Sequence, residues 1–99
     1  MFASARQMDT IFDGRRLAYD DDGQGVPCIL LHAFPLDRRM FAGLPGRLGP
    51  RARVIAPDLR GFGGSELDGP YSIADLADDV TRLMDHLRLD RAVVGGVSM

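Results

Sequence analysis

Pro27-Cys28-Ile29-Leu30-Leu31 is apolar at five successive positions. Such a run predicts a strand buried on both faces of a parallel sheet, where neither side calls for a polar residue. Ala52 to Ala56 is a second short strand, ended by Pro57-Asp58, and Arg91 to Gly96 is a third. Upstream, Gln7 to Phe12 and Arg15 to Asp20 flank Asp13-Gly14. That dipeptide suits the positive φ values of a tight two-residue turn, so the chain is expected to open with an antiparallel hairpin. Asp20-Asp21-Asp22-Gly23-Gln24-Gly25 is read as a polar loop leading into the first parallel strand.

Helical spacing is clearest after Ser72. Ile73, Leu76, Ala77, Val80, Leu83, Met84 and Leu87 fall on one face, and Ser72 with Asp75 makes a capping-box start. Asp75, Asp78, Asp79, Arg82, Asp85 and Arg88 lie on the other face and are read as a solvated surface. Met40, Phe41, Leu44 and Leu48 also recur at helical spacing, but Gly43, Pro45 and Gly46 predict a short or broken helix there. Hairpin, strand, helix, strand, helix, strand is the order of an α/β fold: a mostly parallel sheet with right-handed crossovers and a leading antiparallel hairpin. Ligands on such sheets bind beyond the C-terminal strand ends. His32 to Pro35, Asp58 to Ser65 and Ser98 are expected along that edge.

Composition narrows the functional classes. The 99 residues carry 14 acidic and 12 basic side chains, for a net charge of -2, with no basic stripe to follow a phosphate backbone, so nucleic acid is not an expected partner. The single cysteine, Cys28, allows no intrachain disulfide and no cysteine-based metal cluster, and its place in an apolar run reads as core filling. Neither a signal-peptide pattern nor a membrane-length apolar stretch is present, and a cytoplasmic location is the default expectation.

Three loops carry the candidate chemistry. His32-Ala33-Phe34-Pro35 follows the first parallel strand, Asp58-Leu59-Arg60-Gly61-Phe62-Gly63-Gly64-Ser65 the second, and Gly96-Val97-Ser98-Met99 the third. The last reads as a G-x-S-x-G nucleophile elbow up to its fourth residue, a strained strand-to-helix turn that exposes a serine to a base and to oxyanion-binding amides. With these three motifs in this order, the chain from Asp20 onward resembles the α/β-hydrolase superfamily, especially its esterase, lactonase and cofactor-free haloperoxidase branches. Residues 1–99 would then be the N-terminal part of a single α/β-hydrolase domain ending just after the nucleophile.

The resemblance implies that Ser98 attacks a carbonyl carbon to form an acyl-enzyme, with the backbone N–H groups of Met99 and Phe34 as oxyanion donors. Ala33 stands where the family usually has glycine, which requires the backbone there to avoid positive φ. Asp58, Arg60, Gly61 and Gly63 are expected to shape the loop near the pocket entrance, with Arg60 pairing locally with a carboxylate. A phosphate-binding reading of Gly61-Phe62-Gly63-Gly64 is weaker, because Glu66 replaces the last glycine of G-x-G-x-x-G and no helix starts at once. The family's triad runs nucleophile, acid, histidine along the chain. That order makes His32 a loop-stabilising residue and His86 a structural one.

The expected activity is hydrolysis of a small carboxylic ester or lactone, without a cofactor or metal. Perhydrolysis and carbon–carbon bond hydrolysis use the same serine geometry, whereas the dehalogenase and epoxide-opening branches carry an aspartate at the position of Ser98. A reading of another class is a non-catalytic ligand-binding protein of the same fold. Residues 1–99 alone are expected to be inactive and to need the C-terminal part, in the same or another chain.

Overall fold

A computed structural model of the protein describes residues 7–12 and 14–97. Five strands, β1 (Gln7–Phe12), β2 (Arg15–Gly23), β3 (Val26–Leu31), β4 (Ala52–Pro57) and β5 (Val93–Gly96), form one sheet in the order β1-β2-β4-β3-β5. β1 and β2 pair antiparallel, as do β2 and β4, whereas β3 lies parallel to both β4 and β5. The hairpin register pairs Phe12 with Arg15, and Gly14 takes φ +76° in the two-residue turn. Asp13 lies outside the described residues. The steps from β3 to β4 and from β4 to β5 run in opposite directions across the sheet, so right-handed crossovers carry them over opposite faces.

The first crossover holds a 3₁₀ turn at Arg38–Phe41 and a five-residue helix, α1 (Leu44–Leu48), which is the broken helix that its glycines and prolines predict. The second holds α2 (Ile73–His86). Its start is a reciprocal capping box: Ser72 Oγ accepts the Asp75 N–H, and the Asp75 carboxylate accepts the Ser72 N–H at 2.8 Å. Leu83 of α2 is fully buried with Leu17 and Tyr19 of β2, Ile29 of β3 and Ile55 of β4, and Val80, Met84 and Leu87 border this core. Ile73, at the exposed first turn of α2, does not join it. No helix among the described residues is long and apolar enough to cross a membrane.

Three expectations are corrected. Asp20 to Gly23 is not a loop, because β2 continues to Gly23 along β4 in a register from Asp20 opposite Ala56 to Gly23 opposite Arg53. The ladder to β4 and two arginines overcome the poor strand propensity of aspartate: Asp21 accepts both Arg53 nitrogens, at 2.6 and 2.8 Å, and Asp20 accepts Arg38 Nε at 2.9 Å. β3 is not enclosed on both faces either. Ile29 is buried on the α2 side, but Cys28 and Leu30 turn to the face crossed by the first connection, where the short α1 gives little cover, and both are half-buried.

The third correction concerns Asp79, which is 4% exposed and not part of a solvated face. Arg15 Nη2 donates to Asp79 Oδ1 at 2.9 Å, and Arg60 donates to both carboxylate oxygens at 2.7 and 3.0 Å. Burial pushes the Asp79 carboxyl up, but the hydrogen bonds and charges of Arg60 and Arg15 outweigh it and hold the group below its ordinary value. Its contribution to stability is therefore present above the ordinary carboxylate range and lost only as pH falls below it. Asp79→Ala would leave Arg15 buried without its counter-charge, a change that costs about 3–5 kcal/mol. Urea denaturation of the variant at neutral pH is expected to show that loss as a lower midpoint with an unchanged slope.

Candidate active site

Because β3, β4 and β5 are parallel, their C-terminal ends open on one edge of the sheet. Loop 32–37 leaves β3 and loop 58–65 leaves β4 at this edge. The chain beyond β5 is fixed beside them, since the Val97 N–H donates to Leu31 O at 3.1 Å, next to the start of loop 32–37. Ser98 and Met99, the expected nucleophile and first oxyanion donor, lie outside the described residues.

His32 is fully buried and joins the first two loops. Its Nε2 accepts the Leu59 N–H at 2.9 Å, which places the ring hydrogen on Nδ1, and Nδ1–H donates to Ala33 O at 3.0 Å. Both nitrogens are thus occupied in holding backbone, as expected of a loop-stabilising histidine. The Leu36 N–H also donates to Ala33 O, at 2.8 Å. In a trans peptide the C=O and N–H point in opposite directions, so two bonds on Ala33 O also aim the Phe34 N–H. Among the described residues, that N–H has no hydrogen-bond partner. Ala33 keeps a negative φ, so alanine occupies the usual glycine position without strain.

Asp58 organises the second loop. It is fully buried rather than at a pocket entrance, because its carboxylate is the acceptor around which the surrounding backbone folds. It takes the Gly64 N–H at 2.8 Å, the Arg38 N–H at 2.7 Å and the Arg38 guanidinium, which also reaches Asp20. Gly63 has φ +53°, and a methyl group there would overlap the Asp58 carboxylate. Ser65 Oγ donates to Asp58 O at 2.7 Å and accepts the Ala18 N–H at 2.9 Å, which ties the loop to β2. Arg60 does pair with a carboxylate, but the partner is Asp79 of α2, nineteen residues on, and not a residue of its own loop. The spacing of Asp58, Gly63 and Ser65 is therefore a folding requirement of this loop.

The Phe62 ring meets those of His32 and Phe34 edge-on, each at a centroid distance of 5.5 Å. Phe34 leaves 61% of its surface open beside the site. His86, at the end of α2, touches Phe12 and Tyr19 edge-on and takes no part in this edge. Sequence reasoning missed Arg38, Phe62 and Asp37. Arg38 and Phe62 belong to no spacing pattern, whereas Asp37 had a legible signal as a polar residue just before a helical turn. Asp37 caps the 3₁₀ turn and binds the Arg39 guanidinium through both oxygens, and these Arg39 hydrogen bonds lower its carboxyl to about 2.

The sequence profile of the alpha/beta hydrolase fold matches residues 26–99, and the chain belongs to this family. It is 39% identical over 85 residues to the AB hydrolase superfamily protein YisY of Bacillus subtilis, covering 84% of this chain and 32% of that protein. It is 36% identical over 88 residues to a soluble epoxide hydrolase of Corynebacterium sp., covering 87% and 30%. A thermophilic esterase from Thermogutta terrifontis superposes with a TM-score of 0.82 at 41% identity, covering 95% of this chain and 37% of the esterase. The chain thus spans about a third of the length of these relatives.

Two outcomes follow from this geometry. His32→Phe keeps a ring of similar size but leaves the buried Leu59 N–H without an acceptor, so a loss of about 1–3 kcal/mol is expected in chemical denaturation. Asp37, with its folded value depressed from 3.8 to about 2, contributes stability above that range that is lost as pH falls through it. Melting curves recorded across this acid range are expected to fall less steeply for Asp37→Asn than for the wild type.

Proposed function

We propose that this chain carries the nucleophile, Ser98, and both oxyanion donors, the Phe34 and Met99 amides, of a serine hydrolase that cleaves a small carboxylic ester or lactone. The observation that carries this reading is the directionally fixed Phe34 N–H, without a hydrogen-bond partner among the described residues, at the strand edge where Val97 leads into Ser98. Ser98 Oγ attacks the carbonyl carbon while its proton passes to a base. The carbonyl oxygen takes the negative charge toward the Phe34 and Met99 amides. Collapse of this intermediate breaks the C–O bond as the base returns its proton to the leaving oxygen, freeing the alcohol of an ester or opening a lactone to a hydroxyacyl-serine. Water, losing a proton to the base, then cleaves the acyl-serine to release the acid and restore the hydroxyl. These steps call for no cofactor. The base lies elsewhere than His32, whose two nitrogens are engaged with Leu59 and Ala33.

Relatives of this chain include epoxide hydrolases, and the chemistry of serine argues against that reaction here. A carboxylate that opens an epoxide or displaces a halide forms an ester, which water can cleave. A serine attacking the same carbon would form an ether, which water leaves intact, so the enzyme would stop after one turnover. Attack on a carbonyl avoids this, because the acyl-serine is itself an ester. Perhydrolysis and carbon–carbon cleavage share the acyl-transfer geometry and differ in the molecule that attacks or leaves.

A fluorophosphonate probe on the intact protein tests the reading. Labelling of the wild type and its loss in Ser98→Ala are expected, with a fall in kcat for p-nitrophenyl acetate of about 10⁴-fold or more. An intact protein that neither labels nor turns over esters would instead be a non-catalytic binder of the same fold.

A further inference from the structure

Ala33 sits between two peptide planes. The plane ahead of it carries Ala33 O, on which His32 and Leu36 converge, together with the Phe34 N–H. The plane behind it carries the Ala33 N–H, which donates to Met40 Sδ at 3.3 Å. Holding both planes fixes φ and ψ of Ala33, and so the direction of the Phe34 amide. Met40 reaches this position on the 3₁₀ turn Arg38–Phe41, where its own N–H donates to Asp37 O at 3.2 Å and Asp37 caps the turn through the Arg39 N–H at 2.9 Å. A thioether is a weak acceptor on a flexible stem, and a hydrocarbon of similar size would pack there without accepting anything.

We propose that Met40 is a positioning residue for the oxyanion hole: its sulfur holds the His32–Ala33 peptide so that the next amide, that of Phe34, points at the charge developing on the substrate carbonyl oxygen. This deepens the acyl-transfer reading above and rests on it. Met40 differs from His32 in what depends on it. His32 is fully buried and ties two loops together, whereas Met40 is 39% exposed and holds a single peptide beside the donor. Its loss therefore acts on transition-state stabilisation and leaves the fold in place. An amide aimed at a developing oxyanion contributes little while the substrate carbonyl is neutral, so the effect belongs to kcat and not to KM.

The test uses the intact protein with Met40→Leu, which removes the acceptor while keeping apolar bulk, and Met40→Gln, whose side-chain oxygen can accept the same N–H. In Met40→Leu, kcat for p-nitrophenyl acetate is expected to fall about tenfold, with KM and Tm unchanged. A trifluoromethyl ketone, whose serine adduct carries an oxyanion, is expected to bind weaker by the same factor. Met40→Gln is expected to recover most of both losses. Wild-type kcat and ketone affinity in Met40→Leu overturn the proposal. Equal losses in the two variants together with lowered Tm also overturn it, since they mark a packing role. Ser98→Ala separates the two levels: turnover retained in that variant sinks the acyl-enzyme reading, whereas an inactive Ser98→Ala beside an unaffected Met40→Leu sinks only the role of Met40.

Discussion

The hydrogen bond from the Leu59 N–H to His32 Nε2 is the constraint on which the site depends. It crosses from the loop after β4 to the loop after β3, is buried, and selects the ring tautomer that then holds Ala33 O. The Asp58 carboxylate makes the opposite crossing by accepting the Arg38 N–H. The loop after β3 thus supplies the acceptor for a backbone donor of the loop after β4, and that loop in turn supplies the acceptor for a backbone donor of the 3₁₀ turn that follows the first. Loops are usually the least determined part of a fold, but here the cost of an unpaired buried group allows few alternatives. Rigidity at the strand edge follows from hydrogen-bond satisfaction, with packing against Phe62 added to it.

Charge is organised to the same end. Arg38 joins Asp20 of β2 to Asp58, and Asp79 of α2 joins Arg15 of β2 to Arg60. Both clusters anchor loop 58–65, one on the sheet and the other on the helix. Buried ion pairs add little net stability compared with apolar packing, because removing the charges from water offsets much of their attraction. What they provide here is uniqueness of position, since an alternative loop path would leave a buried charge without its partner. The result is a stationary rim, and for the acyl transfer proposed above a fixed dipole is worth more than a mobile one.

That rim gives the α/β-hydrolase family assignment its chemical content. An amide whose direction is set by two bonds on the preceding carbonyl is pre-oriented, so no rearrangement is needed when the substrate oxygen becomes negative. In the reading proposed above, a serine hydroxyl as the attacking group selects carbonyl substrates, because water cleaves its acyl ester but not the ether it would form with an epoxide. The same fold with another nucleophile serves different reactions, which is why the family alone does not determine the substrate.

Much of this was legible in residue order. The periodicity of α2, its Ser72–Asp75 cap, the broken α1, the turn at Gly14 and the three loop motifs are local properties, and local physics determines them: spacing for a helix face, positive φ for a glycine, a short polar side chain for a free N–H. Even the tolerance for Ala33 could be framed in advance as a condition on φ. Aspartate was where sequence reasoning failed. Asp20 and Asp79 look like loop and solvent residues because their local pattern is polar, and only the arrival of Arg38, Arg15 and Arg60 from distant segments turns them into buried anchors. By itself the sequence determined the elements and the order of the chemical motifs. Tertiary structure alone decided which charges would meet, because their partners lie 18 to 64 residues apart, and it fixed the Phe34 amide through the His32 ring, which Leu59 holds from 27 residues away.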